Sequence, residues 1–511
     1  MPQPNKICPK PPPMSTAPLK AIEDQAANRP HHIAFTFGNE IWTYRRMLDE
    51  ITRLARALVA RGITRGDRVA LHMANGPELA ISYYACFRIG AIAAPLNNRF
   101  KTAELKSLLH RLSPRLYIGD FDLYTLAASV EEEIVPVDAR FVVGGDNANS
   151  GARSWLDLLN TACSETLPAE VDADSLAVLL TTSGTTGLPK FVAHTVATLS
   201  ADAFAHHGMV FNDVVLNCMP MVHAGGLFTF LASIRRGIPM VILKRFDAES
   251  ALDAIEVYRC SWLMSTPIAF AAMIECQRSH PRSVLSLRMC LSAGDMCPLD
   301  VQNAFPHIFD RPLRSMWGMT EVIGALAYGR RPGPVMQIPA GAEIRLVADS
   351  GEVVAHGEPG ELWVRGAYVS VGYWISPGCI DEGPHHGWLA TGDIVRQTDS
   401  DELQFVARKK DLIVRGGSNV SPIEVEQVLK THPMVRDAVV FGMPDLTLGE
   451  SVAALIELNE DAGEETLVNI ALFCSAQLAD YKVPEILKAI PLIPRNALGK
   501  IERQMMPSLL D

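Results

Sequence analysis

The stretch Leu179-Leu180-Thr181-Thr182-Ser183-Gly184-Thr185-Thr186-Gly187-Leu188-Pro189-Lys190 constrains this chain more than any other. Hydroxyls, glycines and a terminal lysine follow directly on the apolar run 176–180, which reads as a buried strand. In such a turn the glycines let backbone N–H groups converge on one point, the hydroxyls add donors, and Lys190 adds positive charge. The segment is therefore expected to cradle phosphate. It is not a Walker loop, which ends in Gly-Lys-Ser/Thr, because Gly187 is followed by Leu188, Pro189 and Lys190. A plain surface turn accounts poorly for four Thr, one Ser and two Gly between Thr181 and Leu188.

At 511 residues the chain exceeds the size at which one core stops growing, so two or more domains are expected. A hydrophobic fraction of 48% with 20% charged residues marks a globular protein. The net charge of -11 argues against nucleic acid or an acidic membrane surface as the main partner. The ten cysteines include no Cys-x-x-Cys pair and no metal-ligand spacing, which fits a reduced, cytoplasmic protein. The proline-rich start has no apolar signal region and reads as a disordered tail over residues 1–16. The apolar stretch 80–96 contains Arg88 and is too short to span a membrane; it reads as a buried helix followed by a strand.

From about residue 41 the pattern is α/β. Met47, Ile51, Leu54 and Leu58 are spaced four, three and four apart on a helix ended by Gly62. Residues 68–72 read as a strand, 78–90 as a helix and 92–95 as the next strand, an order that implies parallel pairing through a crossover. The alternation continues through 214–219, 240–243 and 262–265. From Gly341 to Tyr373, strand-like segments 343–347 and 360–365 separated by Gly and Pro turns suggest a smaller β subdomain. A boundary is expected near the charge run Arg408-Lys409-Lys410-Asp411. Beyond it come an expected helix at 424–431, strands at 438–441 and 452–458, and a helix at 465–479. The expected organisation is the tail, a large N-terminal α/β domain over 17–408 carrying the β subdomain, and a small mobile α+β C-terminal domain over 409–511.

Five segments occur together in order: the 181–190 turn, Met316-Trp317-Gly318-Met319-Thr320-Glu321, Thr391-Gly392-Asp393, the run from Arg408 to Asn419, and Pro494 to Lys500. In order and spacing this set resembles the adenylate-forming superfamily. That superfamily contains acyl- and aryl-CoA synthetases, the adenylation domains of peptide synthetases and firefly-type luciferases. The resemblance covers nearly the whole chain after the tail. It implies a two-step, AMP-forming ligase in which a carboxylic acid attacks the α-phosphorus of ATP with Mg²⁺ present, and coenzyme A then takes the acyl group. A medium-chain fatty or aromatic acid is the expected substrate.

The resemblance also assigns roles. Negative charge accumulating on phosphate must meet cations and fixed donors, and Thr181, Thr182, Ser183, Gly184, Thr185, Thr186, Gly187 and Lys190 are implied to supply them. Thr185 and Glu321 are placed near Mg²⁺. Asp393 is implied for the ribose hydroxyls, with Arg408 as a second contact; otherwise Asp393 would be a turn residue after Gly392. Ala293, Gly294 and Asp295 resemble the loop on one face of adenine, and Trp317, followed by Gly318, Met319 and Thr320, would cover the other face. Trp317 stands where most members carry Tyr. Lys500 is implied to reach the carboxylate and α-phosphate during adenylation, Lys410 to be the hinge of the C-terminal domain, and Gly417 and Asn419 to contact coenzyme A. His223 matches an aromatic or histidine position beside the acyl pocket, and Ala224, Gly225 and Gly226 are read as leaving space behind it for an apolar acyl group.

Phe191 and Ala407 stand where Gly is usual, and local repacking is expected around both. An amino-acid adenylation module would carry an Asp in the segment aligned with Val222 and His223, and none is present. The chain ends eleven residues beyond Lys500, which leaves no room for a carrier domain and favours a stand-alone ligase. Transfer of the acyl group to another acceptor and luciferase-like oxygenation share every motif above. A non-catalytic binding protein would be expected to have lost Glu321, Asp393 or Lys500. The absence of Lys or Arg in 222–231, with Val322, Ile323 and Gly324 after Glu321, points to an apolar acid pocket.

Overall fold

The computed structural model describes residues 17–145, 151–161, 166–168, 170–182, 189–201, 208–324, 326–339, 342–399, 402–415, 418–459, 464–495 and 501–510. The expected tail, Ser183 to Gly187, Gly417 and Lys500 lie outside them. The chain divides into two compact units, Met1–Gly333 with Arg365–Leu389 and Pro334–Val364 with Ala390–Asp511.

The first unit holds two sheets and the helices between and outside them. One sheet runs, edge to edge, through Cys379–Glu382, Gly372–Ser376, Lys190–Thr195, Leu176–Thr182, Ile92–Pro95, Arg68–His72, Leu116–Asp120, Arg140–Val143 and Arg153–Ser154. Its centre is parallel, with Arg68 opposite Ile92, as the strand–helix–strand pattern requires. The helix between them is Pro77–Ile89. In the other sheet Leu313–Trp317, Met289–Ser292, Trp262–Ser265, Val215–Asn217, Met240–Ile242 and Ile33–Phe37 lie side by side, all parallel.

Strand parity explains how both faces of these sheets are covered. Val69 and Leu71 point into the central apolar cluster, while Ala70 between them joins a second cluster on the opposite face. The central cluster takes residues from both sheets and from helices Tyr44–Ala60, Pro77–Ile89 and Ala224–Arg236. Helix Tyr44–Ala60 buries Met47, Ile51, Leu54 and Leu58, the stripe read from the sequence, and Thr43 caps its start by accepting the Arg46 N–H. Phe191 is fully buried beside Leu179 and Trp374, so the side chain standing in place of Gly has become part of the core. All described cysteines are free thiols. Among the described residues no helix is long and apolar enough to cross a membrane.

In the second unit a sheet runs in the order Glu343–Val347, Pro359–Arg365, Leu389–Asp399, Glu402–Arg408, Val335–Gln337, with Glu402–Arg408 antiparallel to both its neighbours. A separate sheet orders Ser418–Val420, Ile413–Arg415, Gly449–Leu458 and Val435–Asp445, with Ile486–Ala489 parallel to Gly449–Leu458. Helices Pro422–Lys430 and Glu464–Ser475 complete this α+β part. Ala407, the other residue in place of Gly, is fully buried in its strand.

Candidate active site

The hydroxyl-rich turn joins two antiparallel strands of the first unit. Thr182 stands opposite Lys190 and Thr181 opposite Phe191, so the ladder fixes both ends of the turn. Thr181 is buried, and its Oγ1 has no hydrogen-bond partner among the described residues. Such an unmet polar atom is costly unless a ligand or water serves it. Lys190 Nζ lies 5.0 Å from the centroid of the Tyr373 ring. The Tyr373 hydroxyl donates to Glu321 Oε1 at 2.9 Å, and burial together with the Glu321 charge pushes the phenol well above its ordinary pKa. Glu321 is only 8% exposed, and among the described residues no Lys or Arg pairs with it. A buried carboxylate answered by a phenol alone is open to a cation.

The segment around Glu321 is fixed by its backbone. The strand Leu313–Trp317 ends with Trp317 opposite Ala327, and the Leu326 N–H donates to the Trp317 carbonyl. The Ser370 N–H donates to the Glu321 carbonyl and the Ile323 N–H to that of Tyr368. The half-buried Trp317 precedes Gly318, Met319 and Thr320, also half-buried, on the way to Glu321. The Thr320 carbonyl accepts from His194 Nε2 at 2.8 Å. His194 is fully buried, edge-on to Phe228, and burial pulls its pKa down to about 4. The ring is thus neutral at pH 7, and the carbonyl acceptor fixes the proton on Nε2.

Tyr373 and His194 escaped the sequence reading. His194 could have been found by strand parity, since Lys190, Val192 and His194 share one face of their strand. Tyr373 gave no local signal, because it approaches from another strand of the same sheet, where it stands opposite Val192.

His223 is half-buried at the N-cap of helix Ala224–Arg236. Asn75 orders the approach to it, donating to the Met219 and Leu243 carbonyls and accepting the Met221 N–H at 2.6 Å. Behind His223, Gly226 is closed off by backbone and Gly225 faces the end of the Met219 side chain. A Cβ on Gly225 would come 2.7 Å from Met219 Cε, and one on Gly226 would come 2.3 Å from the Pro220 carbonyl oxygen. Gly226 lets the helix start against its own preceding turn, which corrects the reading of that glycine as room for an acyl group. Val322 and Ile323 are likewise buried in packing. Ala293 follows the strand Met289–Ser292 and donates its N–H to the Ser265 carbonyl, with Gly294 and Asp295 exposed beyond it.

In the second unit Asp393 is not a turn residue. It lies within the strand Leu389–Asp399, fully buried, opposite Arg408, whose Nη1 is 2.8 Å from its Oδ1. Gly392 before it has φ 71, a left-handed value that glycine tolerates, and its N–H donates to Glu361. Glu361 also takes Lys409, which pairs in addition with Asp349. Lys410 is exposed beside it, in the tight turn Lys409–Asp411. Asn419 is exposed on Ser418–Val420, opposite Val414.

Residues 22–374 match the model of the AMP-binding enzyme, and residues 424–500 match that of the AMP-binding enzyme C-terminal domain. The chain belongs to the AMP-binding enzyme family. Within it, the chain is one of the ATP-dependent acyl- and aryl-CoA ligases, which are acid–thiol ligases. It is 30% identical to the medium-chain fatty-acid–CoA ligase of Escherichia coli, over 91% of this chain and 85% of that one. It is also 30% identical to a 2-succinylbenzoate–CoA ligase of Bacillus licheniformis, over 95% and 98%. Among solved structures, the o-succinylbenzoate CoA synthetase of Bacillus subtilis with its acyl-adenylate intermediate is similar at 26% identity and a TM-score of 0.81, covering 95% and 97%. The anthranilate CoA ligase with anthranoyl-AMP shares the fold at a TM-score of 0.86 and 24% identity, covering 98% of each chain.

Proposed function

We propose that this enzyme activates an apolar monocarboxylic acid, a medium-chain fatty or aromatic acid, and transfers it to coenzyme A. The observation that carries this reading is the buried Glu321, hydrogen-bonded by the Tyr373 hydroxyl and paired with no Lys or Arg among the described residues, with Lys190 against the ring of the same tyrosine. In the first step a carboxylate oxygen bonds to the α-phosphorus and the bond to the β-phosphate oxygen breaks, releasing pyrophosphate. In the second, the thiol sulfur bonds to the acyl carbon, AMP leaves with the bonding pair, and the thiol proton is lost.

Lys190 and the hydroxyls from Thr181 to Thr186 meet the charge on the departing phosphates, and a phosphate oxygen satisfies the orphaned Thr181 hydroxyl. Magnesium, when bound, neutralises phosphate charge, and Glu321 with Thr185 would hold it through the oxygen donors it prefers. Asp393 takes the ribose hydroxyls with lone pairs left beside its Arg408 contact. Trp317 and the 293–295 loop bracket the base. Lys500 supplies the mobile cation of the first step. We place the domain boundary between Arg408 and Lys409. Lys410, exposed and without an ion pair among the described residues, is the hinge, with Gly417 and Asn419 on the coenzyme A path.

The acid class rests on the absence of Lys and Arg from 222–231 and on the 30% relative that acts on medium-chain fatty acids. Pyrophosphate release across aliphatic, aromatic and dicarboxylic acids, with and without coenzyme A, tests it. Fastest turnover is expected with an apolar monocarboxylate, and thioester only with coenzyme A. Preference for a dicarboxylate would overturn the acid class, and adenylate that never reaches a thioester would overturn the acceptor.

A further inference from the structure

Glu321 meets a cation at one fixed place only if the peptide that carries it is held, and the first unit holds that peptide on both sides. Downstream, the Ser370 N–H donates to the Glu321 carbonyl at 2.8 Å and the Ile323 N–H to the Tyr368 carbonyl at 3.0 Å. Upstream, His194 Nε2 donates to the Thr320 carbonyl at 2.8 Å. Lys190, Val192 and His194 share one face of their strand, and Tyr373 stands opposite Val192, so its ring lies on that face at the register between Lys190 and His194. One strand face thus meets two consecutive residues, Thr320 through the imidazole and Glu321 through the Tyr373 hydroxyl at 2.9 Å. The imidazole is itself set in place: Thr198 Oγ1 lies 3.4 Å from Nδ1, and the Phe228 ring stands edge-on at 5.8 Å between centroids.

The geometry points to His194 as a positioning residue for Glu321, holding the Thr320 carbonyl so that the carboxylate stays in register with Lys190 on the same strand. The inference rests on the metal-holding role proposed for Glu321. A carboxylate that shares a cation with phosphate must be fixed relative to the lysine that meets the same phosphate, and a strand that carries both the lysine and the donor to the neighbouring carbonyl fixes that distance. Packing alone accounts poorly for the ring. An apolar side chain of similar size would fill the place beside Phe228 without burying two ring nitrogens, and it would leave the Thr320 carbonyl without its donor.

The test compares H194N, H194Q and E321Q in the full-length enzyme, with pyrophosphate formation and thioester formation from supplied acyl-adenylate measured separately. A Gln amide nitrogen reaches roughly where Nε2 lies and an Asn one roughly where Nδ1 lies, so Gln keeps the donor to Thr320 and Asn withdraws it. H194N should lower kcat for pyrophosphate formation by about tenfold to a hundredfold and raise the Mg²⁺ concentration needed for half-maximal rate. The thioester step should stay within about twofold, a split that a merely structural role would not produce. Calorimetric titration with ATP reads the same effect without turnover: affinity in the absence of Mg²⁺ should be unchanged in H194N, and the gain on adding Mg²⁺ should shrink by about tenfold. H194Q should recover most of each loss. If H194N melts before it can be assayed, H194M, which also lacks the donor, carries the same comparison; melting of both assigns the ring to the fold and overturns the proposal. Equal loss in both half-reactions, no loss in either, or equal loss in H194N and H194Q also overturns it. If E321Q loses adenylation while H194N does not, the positioning role alone fails. If E321Q adenylates normally, the reading of Glu321 falls and the positioning role falls with it.

Discussion

Glu321 in the first unit and Asp393 in the second are both buried carboxylates within sequence motifs, and their surroundings treat them in opposite ways. Asp393 is neutralised where it stands, by Arg408 directly across an antiparallel ladder. Among the described residues Glu321 is met by the Tyr373 hydroxyl and by no Lys or Arg, while Lys190 lies against the ring of that tyrosine. A compensated carboxylate holds structure and presents its remaining lone pairs. An uncompensated one holds a charge whose counterpart arrives with the substrate. In the function proposed above, the difference separates a group that binds from a group that works on charge.

The sharpest way to break this comparison is Glu321→Gln. Losing one electrostatic group at the reacting phosphates should cost roughly a hundredfold or more in kcat/KM, about 3 kcal/mol. Thermal stability should be unchanged or raised, because an uncompensated charge is removed; a large drop in melting temperature would show that Glu321 is structural. Asp393→Asn should do the reverse. It leaves Arg408 without its anion and should lower stability by about 2 kcal/mol, since Arg408 is partly solvated, while KM for ATP rises. A variant with unchanged melting and unchanged KM would erase the contrast.

Acid should also act on the first unit through His194. Its pKa is about 4 in the fold against 6.5 ordinarily, so the unfolded chain binds the proton more tightly. The stability tied to neutral His194 is complete above about 6.5 and is lost as pH falls toward 4. Between pH 7 and pH 5 this amounts to about 2 kcal/mol, which His194→Gln, keeping an N–H donor, should remove from the pH dependence of denaturant unfolding. The buried His72, lowered to about 4 by burial, contributes a similar share that the variant retains. The smallest effect belongs to Tyr373→Phe. Loss of its hydrogen bond to Glu321 should cost about 1 kcal/mol, read as a fivefold to tenfold fall in adenylation rate. No change there would mean that Tyr373 does not set the position of Glu321.

Much of the framework was legible because its signals are local. The stripe Met47, Ile51, Leu54, Leu58 has the helical period, and 68–72, 92–95 and 262–265 emerged as strands with those same bounds. The second unit's strands ran longer than expected, Val435–Asp445 and Gly449–Leu458, because their pairing carries hydrogen bonding past the apolar residues that mark a strand in sequence. His223 shows the opposite failure. Small residues after it read as open space, yet only the path of Met219 and Pro220 decides whether a glycine borders a pocket or a backbone.

The sequence by itself determined the chemistry available: a hydroxyl and glycine turn ending in Lys190, carboxylates at 321 and 393, a cation at 408, and the motif order that placed the chain among adenylate-forming enzymes. Residue type fixes charge, donors and backbone freedom, and these can be read without coordinates. The tertiary structure alone decided which carboxylate is answered and which is left waiting. It brought Tyr373 to Glu321 and His194 to Thr320 across more than fifty residues of chain in the first case and more than a hundred in the second. Compensation of a buried charge depends on distance in space, and no local pattern in the sequence records that distance.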